Sequence, residues 1–246
     1  MKVCWISAGV SSFVAGWLVR ETVDEYIYID IDDQHPDSMR FIKDCEKALG
    51  KTITILKSNY NCVNDVCRQF RFITSPYGAK CTDVLKKRVR KEWEYAHKGI
   101  PLIYVWGMNN TEKHRADRLV DTMTDVDHEF PLIDRNLDKQ AAHAICESLG
   151  IKRPAMYDLG YSNNNCIGCV KGGKGYWNKI RVDFPEVFES RAKMEREIGH
   201  SILNGCFLDE LAPDAGRMND EIMTDCDIFC MLALSEDKNN DPSTGD

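Results

Sequence analysis

The sequence contains no apolar run near the roughly 20 residues that a membrane-crossing helix needs. It also has no secretory leader, because the apolar start Met1-Lys2-Val3-Cys4-Trp5-Ile6 is short and Ser7 and Gly9 interrupt it. Both absences set the expectation of a cytoplasmic protein with no membrane partner. A surplus of positive charge is missing too. Lys and Arg number 32 against 39 Asp and Glu, a formal charge of -7. That is the wrong sign for a chain held to nucleic acid mainly through phosphates. The basic run Lys86-Lys87-Arg88-Val89-Arg90-Lys91 reads as a solvated helix face, and it keeps nucleic acid open as a partner. No internal repeat is visible.

In a reducing compartment the 11 cysteines are not a disulfide framework. Cys4, Cys45, Cys62, Cys67, Cys146 and Cys206 are scattered and read as small buried hydrophobes. Cys166/Cys169 and Cys226/Cys230 are clustered, and clusters point to metal or thiol chemistry. The rest is an ordinary soluble balance: 246 residues, 43% hydrophobic and 29% charged, enough for a substantial α/β core.

Lys2–Ile6 is a short apolar strand that ends at Ser7-Ala8-Gly9-Val10-Ser11-Ser12 and opens a helix over Phe13–Val19. Glu25–Ile31 and Thr52–Leu56 read as further strands, with an amphipathic helix at Ser38–Leu49 that stops at Gly50. Ile100–Val105 is another strand, closing on Trp106-Gly107. Strands alternating with helices predict a doubly wound, mostly parallel sheet covered on both faces. Beyond Pro131 come a helix at Leu137–Leu149, a loop-rich Cys/Gly segment from Tyr157 to Trp177 and a charged amphipathic helix at Phe184–Leu203. The expected division is a nucleotide-binding domain over 1–155, a Cys-rich, helical region over 156–234 and a polar, disordered tail over 235–246.

A strand that ends in small residues and opens a helix presents backbone N–H groups to an anion, and the helix dipole adds to the attraction. Ser7, Gly9, Ser11 and Ser12 let a phosphate approach closely and add hydroxyl donors, although such turns also serve plain packing. The loop has neither a Walker A ending nor a Gly-x-Gly-x-x-Gly fingerprint.

Ser7-Ala8-Gly9-Val10-Ser11-Ser12 resembles the S-G-G-x-D-S PP-loop of the adenine nucleotide alpha hydrolases, with Ala8 in place of a Gly and Ser11 in place of the Asp. Tyr28–Asp37 is similar to the second strand and following turn of the phosphoadenosine phosphosulfate (PAPS) reductases in that group. Cys81 and Lys86 match their C-C-x-x-R-K, and Gly107 to Arg115 resembles G-x-R-x-x-E-x-x-R. Pro154 to Cys169 is similar to P-L-Y-x-L-G-Y-x-S-I-G-C-x-x-C, the most specific match. The resemblance implies a Rossmann-like enzyme of the PAPS reductase family, in a divergent, phage-type form, that takes an adenine nucleotide (PAPS, APS or ATP) with Mg as counter-ion in sulfur chemistry. It implies nucleotide binding by Ser7, Gly9, Ser11, Ser12, Asp30 and Gly107, catalytic cations at Lys86 and Arg115, a thiol reductant and a homo-oligomer.

Cys166-Ile167-Gly168-Cys169 has the two-residue spacing that brings both thiolates to one metal, and Cys226 with Cys230 supplies the other pair; Cys81 competes for a place. Zinc and a [4Fe-4S] cluster both accept four thiolates. Cys226 also falls where PAPS reductases carry a nucleophilic cysteine, but Asp225 and Asp227 flank it and discourage a thiolate. Burial on a helix face is the second reading, ahead of the nucleophile. Trp177 is open between stacking on a base and core packing. Two other functions stay open, an ATP pyrophosphatase that adenylates a nucleic-acid base and a catalytically silent nucleotide binder.

Overall fold

The computed structural model describes residues 1–75 and 78–218. Five parallel strands form the central sheet in the order β3-β2-β1-β6-β7. They are β1 (Lys2–Ile6), β2 (Glu25–Asp30), β3 (Ile53–Lys57), β6 (Ile103–Val105) and β7 (Asp127–Glu129), while β4 (Thr74–Ser75) and β5 (Gly78–Ala79) make a small antiparallel ladder apart from them. The helices are α1 (Val10–Leu18), α2 (Asp37–Leu49), α3 (Val63–Phe70), α4 (Lys80–Thr82), α5 (Arg88–Ala96), α6 (Lys113–Thr122), α7 (Pro131–Asp134), α8 (Lys139–Ser148), α9 (Ala155–Asp158), α10 (Lys174–Asp183) and α11 (Pro185–Ile198). The expected doubly wound α/β fold is the fold observed.

Alternation along β1 explains why both faces of the sheet are covered. Cys4 and Ile6 enter one core with Phe13, Phe41 and Ala142, from α1, α2 and α8. Val3 and Trp5 enter another with Trp93, Tyr104 and Leu119, on the side of α5 and α6. Successive strand residues point to opposite faces, so an apolar run without alternation is the mark of a strand buried twice. Gly50 ends α2 in the left-handed region (φ 63), as its place after the apolar pattern predicted.

A third core joins Val63, Cys67 and Leu85 to Met156, Cys166, Cys169, Trp177 and Phe188. Residues 63–85 of the expected first domain therefore share their apolar contacts with the Cys-rich region. Trp177 is fully buried here, so core packing, not a base, occupies its ring. Cys4, Cys45, Cys67 and Cys146 are buried as expected, whereas Cys62 and Cys206 are half-buried. Burial pushes the Cys67 thiol up to about 12 and the Cys146 thiol up to about 11, which keeps both protonated and inert.

Candidate functional site

The chain runs β1 to β3 in one direction across the sheet and then returns to place β6 on the other side of β1. Loops leaving the carboxyl ends of β1 and β6 diverge at this switch point and leave a crevice, the usual ligand position in open α/β sheets. Here the first loop is Ser7 to Gly9 and the second begins at Trp106-Gly107. The second loop meets the first turn of α1 at its base. A Cβ built on Gly107 would lie 2.5 Å from Ser12 Cα, 2.6 Å from Ser12 N and 2.9 Å from the Ser11 carbonyl carbon. Only glycine permits that approach, because all three neighbours are backbone.

The first loop is braced from within. Ser12 Oγ accepts from the Ser7 N–H (3.0 Å) and the Ser7 hydroxyl (3.1 Å), and donates to Gly9 O (2.9 Å). Gly9 is the N-cap of α1 in an extended conformation, with no side chain capping the helix. The N-terminal amides of α1 and the positive end of its dipole thus meet the crevice without a built-in anion. Ala8 holds a φ of 58, a left-handed conformation that favours the glycine found there in the PP-loop pattern. Its carbonyl accepts from Asn164 Nδ2 (2.9 Å), which also donates to Ser38 Oγ (2.9 Å). The Val10 N–H donates to Tyr157 Oη at 3.4 Å. Two residues of the Pro154–Cys169 element therefore hold the loop from the far end of the sequence.

A narrow cleft opens at this point. Ser7, Ser12 and Gly107 line it with Lys86, Arg90 and Gln34, and its apolar wall includes Trp5 and Trp106. Of the residues named from sequence, Ser7, Ser12, Gly107 and Lys86 come together here, with Gly9 and Ser11 in the same loop. The basic run 86–91 is only in part the solvated face expected of it, with Arg88 and Lys91 exposed. Lys86 lies in a π-helical turn (Asp83–Lys87) that leads into α5 and brings it to the cleft, and Arg90 is buried. A π-turn inserts an extra residue and is frequent at functional sites. Arg90 Nη1 donates to Glu94 Oε1 (2.7 Å), which also accepts from Tyr104 Oη (2.8 Å), while its buried Nε has no hydrogen-bond partner. Arg90 and Gln34 were both missed. The recurrence of Lys86 and Arg90 four residues apart was the available signal, since it puts them on one helix face. Tyr28 Oη donates to Gln34 Oε1.

Two other named residues are engaged elsewhere. Asp30 pairs with Lys57 across β2 and β3 at 2.8 Å. Arg115 pairs with Glu112, whose Oε2 accepts from both the Asn109 backbone (3.1 Å) and its side-chain amide (2.8 Å). That capping box fixes the turn after Gly107 and points Arg115 at a carboxylate.

The turn after β2 is a second brace. Asp33 Oδ2 accepts from the Val63 N–H at 2.6 Å, and its Oδ1 accepts from buried Arg191. Arg191 also donates to Asn64 Oδ1 (2.6 Å) and Gly168 O (3.2 Å), and the Ile167 N–H donates to Asp33 O (2.8 Å). One ion pair therefore ties the second strand, α3, α11 and the Cys166–Cys169 loop. Nearby, Arg40 grips both Asp37 oxygens and the carbonyls of Lys152 and Arg153, and the Ala155 N–H donates to Asp37. The Arg40 hydrogen bonds hold the Asp37 carboxyl down at about 2. A depressed carboxyl contributes stability above its ordinary range and loses it as pH falls. Asp37→Asn is therefore expected to be less stable than wild type at neutral pH. That difference should close between about pH 4 and pH 2, as followed by urea midpoints across that window.

Cys166 and Cys169 are both buried, and Tyr176 Oη accepts from the Cys169 N–H (3.0 Å) while donating to Cys166 O (3.4 Å). Among the described residues no three His, Cys, Asp or Glu side chains converge in a way that could hold a metal. Cys226 and Cys230 lie outside the described residues. Among the described residues no helix is long and apolar enough to cross a membrane.

No family model matches the chain, and no curated protein sequence matches it. In structure it is similar to a phosphoadenylyl-sulfate (PAPS) reductase from Candida auris, solved as a phosphate complex. The two are 14% identical, with a TM-score of 0.49 over 67% of this chain and 80% of that one.

Proposed function

We propose that the cleft binds an adenine nucleotide with its phosphates at the start of α1, and that the protein is an enzyme acting on an adenylyl sulfate (PAPS or APS) or ATP in sulfur-transfer chemistry. The observation that carries this is the contact of Gly107 with Ser11 and Ser12. It closes the switch point around a helix start that has no side-chain cap, in a cleft that Lys86 and Arg90 also line. The buried rings of Trp5 and Trp106 add apolar wall to the cleft, and Gln34 offers an amide.

Chemically, the helix start and the two cations stabilise negative charge that grows on a phosphate or sulfate oxygen as a bond to it breaks. Their value is greatest where water is excluded. Lys86 is assigned this role directly. Arg115 takes part by exchanging Glu112 for the anion, and its planar fork suits two oxygens. Asp30, at the end of β2, is assigned to the ribose, and Mg2+ to the phosphates as counter-ion.

Cys166 and Cys169 supply two of the four thiolates for zinc or an iron–sulfur cluster, with Cys226 and Cys230 as the other two. Met218 lines a pocket with Cys166. Eight further residues reach at most roughly 28 Å, so the chain length permits the meeting. Such a group would supply structural cross-linking or electrons, and a thiol reductant and a second copy of the chain are the partners assigned with it.

Titration calorimetry with PAPS, adenylyl sulfate and ATP tests the proposal. One of the three is expected to bind in the micromolar range at one site per chain, and heats indistinguishable from dilution for all three would refute it. Metal analysis after anaerobic purification is expected to find zinc or iron in wild type and a loss in Cys166→Ser.

A further inference from the structure

At the opposite end of the strands from the cleft lies an open groove, bounded by Ile100 and Leu102 before β6 and by Asp125 and Val126 before β7. Lys87, Lys91 and Lys98 line it. Positions 87, 91 and 95 recur every four residues from the end of the π-turn into α5 and therefore share one face. Tyr95, on that face, is 78% exposed, the most of any large hydrophobic side chain among the described residues. Lys98 follows past the end of the helix and returns to the same groove.

Two of these three lysine charges, at Lys91 and Lys98, are not cancelled by an ion pair among the described residues. Of the carboxylates, Glu94 is already committed to Arg90 and Tyr104, which leaves Asp125. His97 stacks on Trp93 with centroids 4.0 Å apart and keeps that ring covered. The overall charge of -7 does not oppose an anion at this face, because residues 219–246 hold eight acidic residues against Lys238 alone. Residues 1–218 are thus balanced in charge.

Three lysines beside an exposed tyrosine have a specific chemical fit. Phosphates spaced along a strand meet the ammonium groups, and an unstacked base meets the ring, which is how single strands are held without sequence preference. An acidic peptide would use the lysines and leave the tyrosine idle. We propose that the α5 face formed by Lys87, Lys91, Tyr95 and Lys98 binds single-stranded nucleic acid.

Fluorescence anisotropy with labelled oligo-dT and oligo-U, each about 20 nucleotides long at roughly 50 mM salt, tests this on the full chain. Binding is expected, with a slope of log affinity against log salt of about -2, as three phosphate contacts on a single strand give. Lys91→Glu with Lys98→Glu, both exposed and outside the cleft, should weaken it at least about 10-fold, and Tyr95→Ala about 10-fold through lost stacking. Circular dichroism of both variants should match wild type. No anisotropy change, variants that bind as wild type does, or equal displacement by polyglutamate would each overturn the proposal. A saturating adenine nucleotide should leave the oligonucleotide bound; its displacement would move the oligonucleotide to the cleft and overturn the assignment to α5. The surface does not depend on the nucleotide proposal, so calorimetry and anisotropy can fail separately.

Discussion

Gly107→Ala is expected to unfold well below wild type and to bind no adenine nucleotide. The added methyl meets Ser12 Cα, Ser12 N and the Ser11 carbonyl carbon within 3 Å, and none of these can swing away as a side-chain tip could. Relief requires the β6 loop or the start of α1 to move as a unit, and both belong to packed cores. Overpacking of this kind costs about 3 kcal/mol. For a chain of this size that lowers the thermal midpoint by roughly 6–12 °C, measured by circular dichroism. The binding loss should be larger than the stability loss, because the displaced backbone is the proposed phosphate seat. Gly173→Ala is the comparison, since nothing lies within 4 Å of its added Cβ. It should cost under about 1 kcal/mol.

The second large effect is expected at Arg191, which is 2% exposed and pairs with Asp33 from 158 residues away. Arg191→Met removes one partner and leaves a carboxylate in a site that excludes water. Breaking a buried pair in this way costs about 3–5 kcal/mol. The thermal midpoint should fall by roughly 6–20 °C. Adding Asp33→Asn should restore at least about 1 kcal/mol, because the stranded charge is gone while the Val63 N–H keeps an acceptor. The same single variant frees Gly168 O, so Cys166 and Cys169 should react faster with a thiol reagent. Equal stability of wild type and Arg191→Met would remove the ion pair from the account.

These two sites differ in how far they were legible. The strand ending at Ser7 and the strand closing on Trp106-Gly107 could be read from apolar runs that stop at small residues, so the crevice was visible in outline. That Gly107 presses on Ser12 was not, because the approach of two loops depends on strand order, which no local pattern encodes. Arg191 left a fainter trace. Phe188, Arg191, Ala192 and Glu195 share one face of α11 and are all buried, so the charged pair sits inside an apolar stripe. A charge within such a stripe implies a distant partner, though not which one. Lys86 was found through a motif, whereas Arg90 needed the helix face, and the run 86–91 misled in part because composition alone does not say which side of a helix meets water. Asp30 and Arg115 show the converse: their residue types suit a nucleotide, yet Lys57 and Glu112 engage them in the folded chain.

Calorimetric titration of an adenine nucleotide into wild type and Gly9→Asp tests the central claim most directly. An added Cβ there meets only side-chain tips, Ser7 Oγ at 3.3 Å and Tyr157 Oη at 3.4 Å, which need to give by a few tenths of an ångström. Aspartate also caps helices at least as well as glycine, so the fold should be kept. Its carboxylate would occupy the seat assigned to the phosphates. Wild type that binds and Gly9→Asp that stays folded but loses at least about 100-fold in affinity is the result expected of a phosphate site at a helix start. Equal affinity in the two proteins would contradict it.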